Sequence, residues 1–149
     1  MGTTPRAGLQ RLADQLLTWG GMRVAERMTR NPVHVRLTDT LGAARMIMQA
    51  EGFKHLPVVE TKRVLGVITD RDARQHAVNP DETLVETVMT PDPATVSPDT
   101  SIEEAASIML VKRIGCLPVV EDGGLVGIIT ATDFLRALLD IARVREKNV

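Results

Sequence analysis

Aromatic residues are nearly missing from this chain: one Trp, two Phe and no Tyr among 149 residues. Positive charge is not in excess either, since the formal net charge is -1. A single-strand nucleic-acid binder stacks bases on rings along a basic groove. This chain has the materials for neither, so nucleic acid is not expected as a partner. Cysteine is reduced to Cys116. That leaves no internal disulfide and no paired thiols for zinc, and it agrees with a reducing cytoplasm. Long apolar runs are missing as well. The longest, such as Leu125 to Ile129, are strand-sized and far short of a bilayer span. The first twenty residues contain Asp14 and no proper apolar stretch, so no secretory signal is expected.

Catalytic constellations are absent too. His34, His55 and His76 lie apart from one another and from Cys116. No His-Glu-x-x-His, Cys-x-x-Cys, Gly-x-Ser-x-Gly or phosphate-loop pattern occurs. The expectation is a protein that is no enzyme, holds no metal and requires no cofactor.

What the chain does have is a repeat. Slid by 61 positions, it matches itself without a gap. Val24, Met28, Thr29 and Pro32 fall on Val85, Met89, Thr90 and Pro93. Leu56-Pro57-Val58-Val59-Glu60 falls on Leu117-Pro118-Val119-Val120-Glu121, and Gly66, Ile68, Thr69 and Asp72 fall on Gly127, Ile129, Thr130 and Asp133. One constant offset over this length marks two copies of one unit. The units are placed at residues 22–79 and 80–149, joined near Asn79-Pro80-Asp81, behind an extension at 1–21. Met22 is a candidate natural start.

Each unit reads as strand, helix, strand, strand, helix. Val33-His34-Val35 and Ala94-Thr95-Val96 are short extended pieces. Cap-forming residues follow at Thr38-Asp39-Thr40 and Pro98-Asp99-Thr100-Ser101. Leu41, Ala44, Ile47 and Met48 then recur at helical spacing, as do Ile102, Ala105, Ala106 and Met109. Two β-branched runs come next in each copy, turning at Thr61-Lys62-Arg63 and at Asp122-Gly123-Gly124. A second helix starts near Asp70 and near Thr132. In the last one Leu135, Leu138, Leu139 and Ala142 share a face. Leu9, Leu12, Ala13 and Leu16 give the extension an amphipathic helical pattern, ended by Gly20-Gly21. A unit of about 55 residues buries too little surface alone, so the two are expected to pack face to face.

The sharpest local feature is Gly66-Val67-Ile68-Thr69-Asp70-Arg71-Asp72 and its partner Gly127-Ile128-Ile129-Thr130-Ala131-Thr132-Asp133. A strand runs into a helix through Thr-x-x-Asp. That spacing caps a helix as Ser/Thr-x-x-Glu does. The same geometry suits a nucleotide: helix amides and the dipole attract phosphate, and an acidic side chain accepts ribose hydroxyls.

Repeated Leu-Pro-Val-Val, then Gly, two apolar residues and Thr-x-x-Asp, each copy led by Met-Thr and Pro, resembles a tandem pair of CBS domains, a Bateman module. The phrases Lys54-His55-Leu56-Pro57-Val58-Val59 and Ile114-Gly115-Cys116-Leu117-Pro118-Val119-Val120 look most like the CBS half of acetoin-utilisation-type bacterial proteins. The resemblance implies an α/β (α+β) fold of two βαββα units packed about a pseudo-twofold axis, with the N-terminal amphipathic helix in front. It implies two clefts that bind adenosyl ligands such as AMP, ADP or ATP, and a homodimer forming a disc of four units. Carried over residue by residue, one cleft would use Val67, Ile68, Thr69, Arg71 and Asp72, with Ala94, Thr95, Gly115 and Cys116 opposite. The other would use Ile128, Ile129, Thr130, Thr132 and Asp133, with Val33, His34, Lys54 and His55 opposite. Lys54 and His55 would meet phosphate. Gly115 and Cys116 offer no such charge, so the clefts are expected to be unequal, with Arg71 as a substitute. For Cys116 a role as a small buried packing residue stands beside the ligand role. A competing function is a dimerising adaptor with unoccupied clefts and a regulated protein partner.

Overall fold

The computed structural model describes residues 7–8, 21–76 and 78–147, with the side chain of residue 145 left aside. The expected front helix falls almost wholly outside these residues. Two three-stranded antiparallel sheets carry the fold. Strand β2 (His55–Glu60) pairs with β3 (Arg63–Thr69), which pairs with β4 (Thr90–Pro91). In the other sheet β5 (Cys116–Glu121) pairs with β6 (Gly124–Thr130), which pairs with β1 (Thr29–Arg30). The helices are α1 (Leu41–Glu51), α2 (Asp70–Gln75), α3 (Val85–Val88), α4 (Ile102–Lys112) and α5 (Ala131–Lys147). The expected strands at Val33–Val35 and Ala94–Val96 shrink to single parallel bridges, Val35 to Val58 and Val96 to Val119.

The long helices form where capping and periodicity put them. The Thr40 hydroxyl accepts from the Ala43 amide at 3.1 Å, and Ser101 accepts from Glu104 at 3.0 Å. Leu41, Ala44 and Met48 face one core; Ile102, Ala105 and Met109 face the other. Both helices end on a left-handed residue, Gly52 (φ 72°) in α1 and Arg113 (φ 55°) in α4.

The leading segment of each repeat packs on the other repeat. Val24 is fully buried with Ile102, Leu117 and Ile129, whereas Val85 is fully buried with Leu41, Leu56 and Ile68. Backbone bonds follow the same rule: the Val24 amide donates to the Thr100 carbonyl at 2.8 Å, and Val85 donates to Asp39 at 2.8 Å. Strand β1 therefore lies on β6 and β4 on β3. This crossing explains Gly66 and Gly127. A Cβ at Gly66 would stand 2.8 Å from the Thr90 carbonyl oxygen, and one at Gly127 3.0 Å from that of Thr29. The Arg27 guanidinium bonds the Asp140 carboxylate at 2.6 Å, tying the leading segment to α5 and holding that carboxyl below its usual range.

The two hairpins turn through left-handed pairs. Asp122 and Gly123 have φ of 51° and 77°; Thr61 and Lys62 have 48° and 68°. Gly takes this conformation freely, whereas an L-residue is strained by about 1–2 kcal/mol. Lys62 occupies the position that Gly123 holds in the second repeat. Lys62→Gly is therefore expected to stabilise the fold, by up to about 1 kcal/mol once the added freedom of the unfolded chain is offset. Urea denaturation of the two proteins checks the sign.

Candidate functional site

The junction between each β-hairpin and its following helix sets the site. Strand β6 ends at Thr130 and α5 starts at the next residue. The Asp133 carboxylate accepts from the Thr130 amide at 2.8 Å and from its hydroxyl at 3.2 Å. At the matching junction the Asp72 carboxylate accepts from the Thr69 amide at 3.0 Å, and the Thr69 hydroxyl accepts from the Asp72 amide at 3.1 Å. The first helix is thus capped in both directions. In the second, the threonine hydroxyl is turned to the carboxylate, and no side chain among the described residues accepts the Asp133 amide. Carbonyls from the loops ahead of β2 and β5 complete each helix start: Asp70 donates to Lys54 at 2.9 Å and Ala131 to Gly115 at 3.1 Å.

A cavity of about 590 Å³ opens at the start of α5. Its walls bring together residues of both repeats. Thr130, Thr132 and Asp133 come from the β6–α5 junction and Ile128 from β6, with Val33, Lys54 and His55 from the first repeat. These seven, grouped in one cleft by the family resemblance, line one cavity. Phe53, Glu51 and Gly52 extend the wall before Lys54. Thr29 of β1 and Asn31 and Pro32 just after it join in, with Ala131 and Arg136 from α5. A volume of this size falls within the range of small-ligand sites.

Two residues expected in this cleft lie elsewhere. Ile129 is fully buried in the core against α4, because alternation along β6 turns Ile128 toward the other sheet and Ile129 toward the helix. His34 is exposed, with Nδ1 3.2 Å from the Pro32 carbonyl oxygen. Gly115 was expected on the opposite side, near Thr69 and Asp72. It lines this cavity instead, because its backbone passes under the His55 ring: a Cβ there would meet Nε2 at 2.8 Å.

The other residues grouped around Thr69 and Asp72 do not line this cavity. Val67 and Cys116 are buried with Ile128 in a small cluster between the sheets. Ile68 is fully buried in the first core, facing α1, for the same reason of alternation as Ile129. Ala94 packs against the second core, and Arg71 and Thr95 are exposed. Burial pushes the Cys116 thiol up to about 12, which leaves it protonated and inert.

His55 is a half-buried titratable group of the cavity. Burial first, and the Lys54 charge second, lower its pKa below the ordinary 6.5, against a smaller opposing pull from Asp72. The unfolded chain therefore binds a proton here more readily than the folded one. The stability that neutral His55 contributes is fully present above pH 6.5 and is lost as pH falls below it toward the folded-state value. The unfolding midpoint is expected to drop between pH 7 and 5, and His55→Gln to flatten that part of the curve. A slope unchanged by the substitution would assign it to other groups.

Arg136, Ala131, Glu51 to Phe53, and Thr29, Asn31 and Pro32 escaped the sequence reading. Arg136 had a local signal, since three residues beyond Asp133 is the same helix face. Glu51 to Phe53 adjoin Lys54 in the chain, whereas Thr29, Asn31 and Pro32 had no local signal and reach the cavity only through the crossing of the leading segments. Among the described residues no three His, Cys, Asp or Glu side chains gather as a metal site, and no helix is long and apolar enough to cross a membrane.

Comparison with known proteins places this geometry. The family model of the CBS domain matches residues 24–84 and again 85–140. Inosine-5'-monophosphate dehydrogenase of Korarchaeum cryptofilum is 36% identical over 112 residues, 74% of this chain and 23% of the enzyme. The chain thus spans less than a quarter of that relative. AcuB, an acetoin utilization protein of Vibrio cholerae, has a structure that superposes with a TM-score of 0.76 at 35% identity, covering 85% of this chain and 96% of its own. CBSX2, solved in complex with AMP, superposes with a TM-score of 0.72 at 28% identity over 82% of this chain and 99% of that one. A CBS domain pair solved with 5'-methylthioadenosine and S-adenosyl-L-methionine gives 0.72 at 26% identity over 78% and 99%.

Proposed function

The chain belongs to the CBS-domain family, as a tandem pair of repeats, and from that premise we propose that it is a regulatory module binding an adenine nucleotide between them. One observation carries the reading: Thr130 and Asp133 of one repeat and Lys54 and His55 of the other line a single cavity. Asp133 would accept the ribose hydroxyls. The amides at the start of α5, with Lys54, would take phosphate. Relatives solved with AMP and with S-adenosyl-L-methionine support the ligand class. We assign the chain no catalysis of its own, units at 22–79 and 80–149 behind the extension at 1–21, and a cytoplasmic setting.

The apolar side chains that α5 and α4 leave in solvent favour a homodimer. Leu135, Leu138 and Leu139 are each more than half exposed, and Leu110 and Val111 are exposed at 79% and 83%. The same faces support the second reading, an adaptor that works by association and leaves its clefts empty. Thermal unfolding with AMP, ADP, ATP and S-adenosyl-L-methionine separates the two. A ligand at a hundred times its Kd stabilises by about 2.7 kcal/mol, and the midpoint climbs with its concentration. No rise with any of the four would leave the adaptor.

A further inference from the structure

Related CBS pairs have been solved with an anionic ligand, AMP, and with a neutral thioether and a cationic sulfonium. The charges in this cavity bear on which of these it takes. Asp133 already accepts two bonds from Thr130. Lys54 and Arg136 also line the cavity, and among the described residues neither has a carboxylate within ion-pair distance. They come from different repeats, Lys54 from the loop before β2 and Arg136 from the first turns of α5.

The repeat serves as an internal control. The positions matching Lys54 and Arg136 in the other copy are Gly115 and Gln75. The fold is built twice, and each copy supplies one of these cations where its counterpart has none, so the architecture does not require them. An arginine fork binds phosphate oxygens two at a time, and a charge-assisted bond is about twice as strong as a neutral one.

We propose that Arg136 is the specificity-determining residue of this cleft: with Lys54 opposite, it grips the ligand's phosphate, so the cleft takes phosphate-bearing adenosine nucleotides and rejects neutral or cationic adenosyl ligands. This rests on the adenosyl-binding reading above. Glu51 also lines the cavity wall and opposes phosphate, so the anion preference requires Lys54 and Arg136 together to outweigh it.

Calorimetric titration of the full chain with AMP, adenosine, 5'-methylthioadenosine and S-adenosyl-L-methionine tests it, in the wild type, Arg136→Gln and Arg136→Glu. Arg136 is exposed, so both variants are expected to fold, with circular dichroism as the check. The wild type should bind AMP at least about tenfold more tightly than 5'-methylthioadenosine. Arg136→Gln should weaken AMP by about tenfold and leave adenosine and 5'-methylthioadenosine within about twofold. Arg136→Glu should weaken AMP further and improve the sulfonium. A wild type that prefers the thioether or the sulfonium overturns the proposal while sparing the adenosyl-binding reading. So does an Arg136→Gln protein that holds AMP unchanged, or that loses AMP and adenosine alike. A wild type that binds none of the four overturns the reading and the proposal together.

Discussion

Asp133→Ala is expected to weaken AMP binding by about 10- to 100-fold, whereas Asp72→Ala leaves it within about twofold. Both carboxylates accept a backbone amide at the start of a helix, from Thr130 at 2.8 Å and from Thr69 at 3.0 Å. Each alanine therefore loses a cap, at about 1 kcal/mol of stability. That common loss cancels in the comparison. What does not cancel is the cavity: Asp133 lines it and Asp72 does not. A charge-assisted hydrogen bond contributes about 1.5–3 kcal/mol, which is the source of the fold-change. Calorimetric titration gives the affinities, and urea denaturation shows that the stability losses match. Equal affinities in the two variants would move the nucleotide away from the start of α5.

Gly115→Ala is expected to destabilise the protein by about 1–3 kcal/mol and to weaken nucleotide binding as well. The added methyl would meet the His55 ring at 2.8 Å from Nε2 and 3.1 Å from Cε1. That ring is half-buried, and the main chain of His55 is fixed by its pairing with Thr69 across β2 and β3. Displacing it would disturb the wall of the cavity that it lines. In a His55→Ala background the obstacle is gone, and the same glycine substitution should then be nearly neutral. The double-mutant cycle isolates this contact from any change in backbone freedom. Equal losses in both backgrounds would refute the contact as the cause.

The amino-acid sequence by itself determined the parts that depend on near neighbours. Thr40 and Ser101 cap their helices from three residues away, and Leu41, Ala44 and Met48 line up within two turns. Thr130 and Asp133 meet across a single turn, so the junction was legible in Thr-x-x-Asp. The constant offset of 61 residues announced two like units, and the family resemblance paired Lys54 and His55 with that junction.

The tertiary structure decided what a symmetric repeat conceals. Both copies begin with the same Met-Thr segment, so nothing local states which copy's sheet it joins. The answer is the other one, and this crossing brings Asn31 and Pro32 to the cavity and makes Gly66 and Gly127 sites of close approach. Alternation along strands β3 and β6 decided that Val67 and Ile128 meet between the sheets while Ile68 and Ile129 enter the cores. A strand covered on both faces is apolar on both, so its sequence carries no mark of which side meets the ligand. The same holds for Gly115: the family resemblance put it opposite Thr69, and only the packing of its backbone under His55 placed it in the cavity at α5.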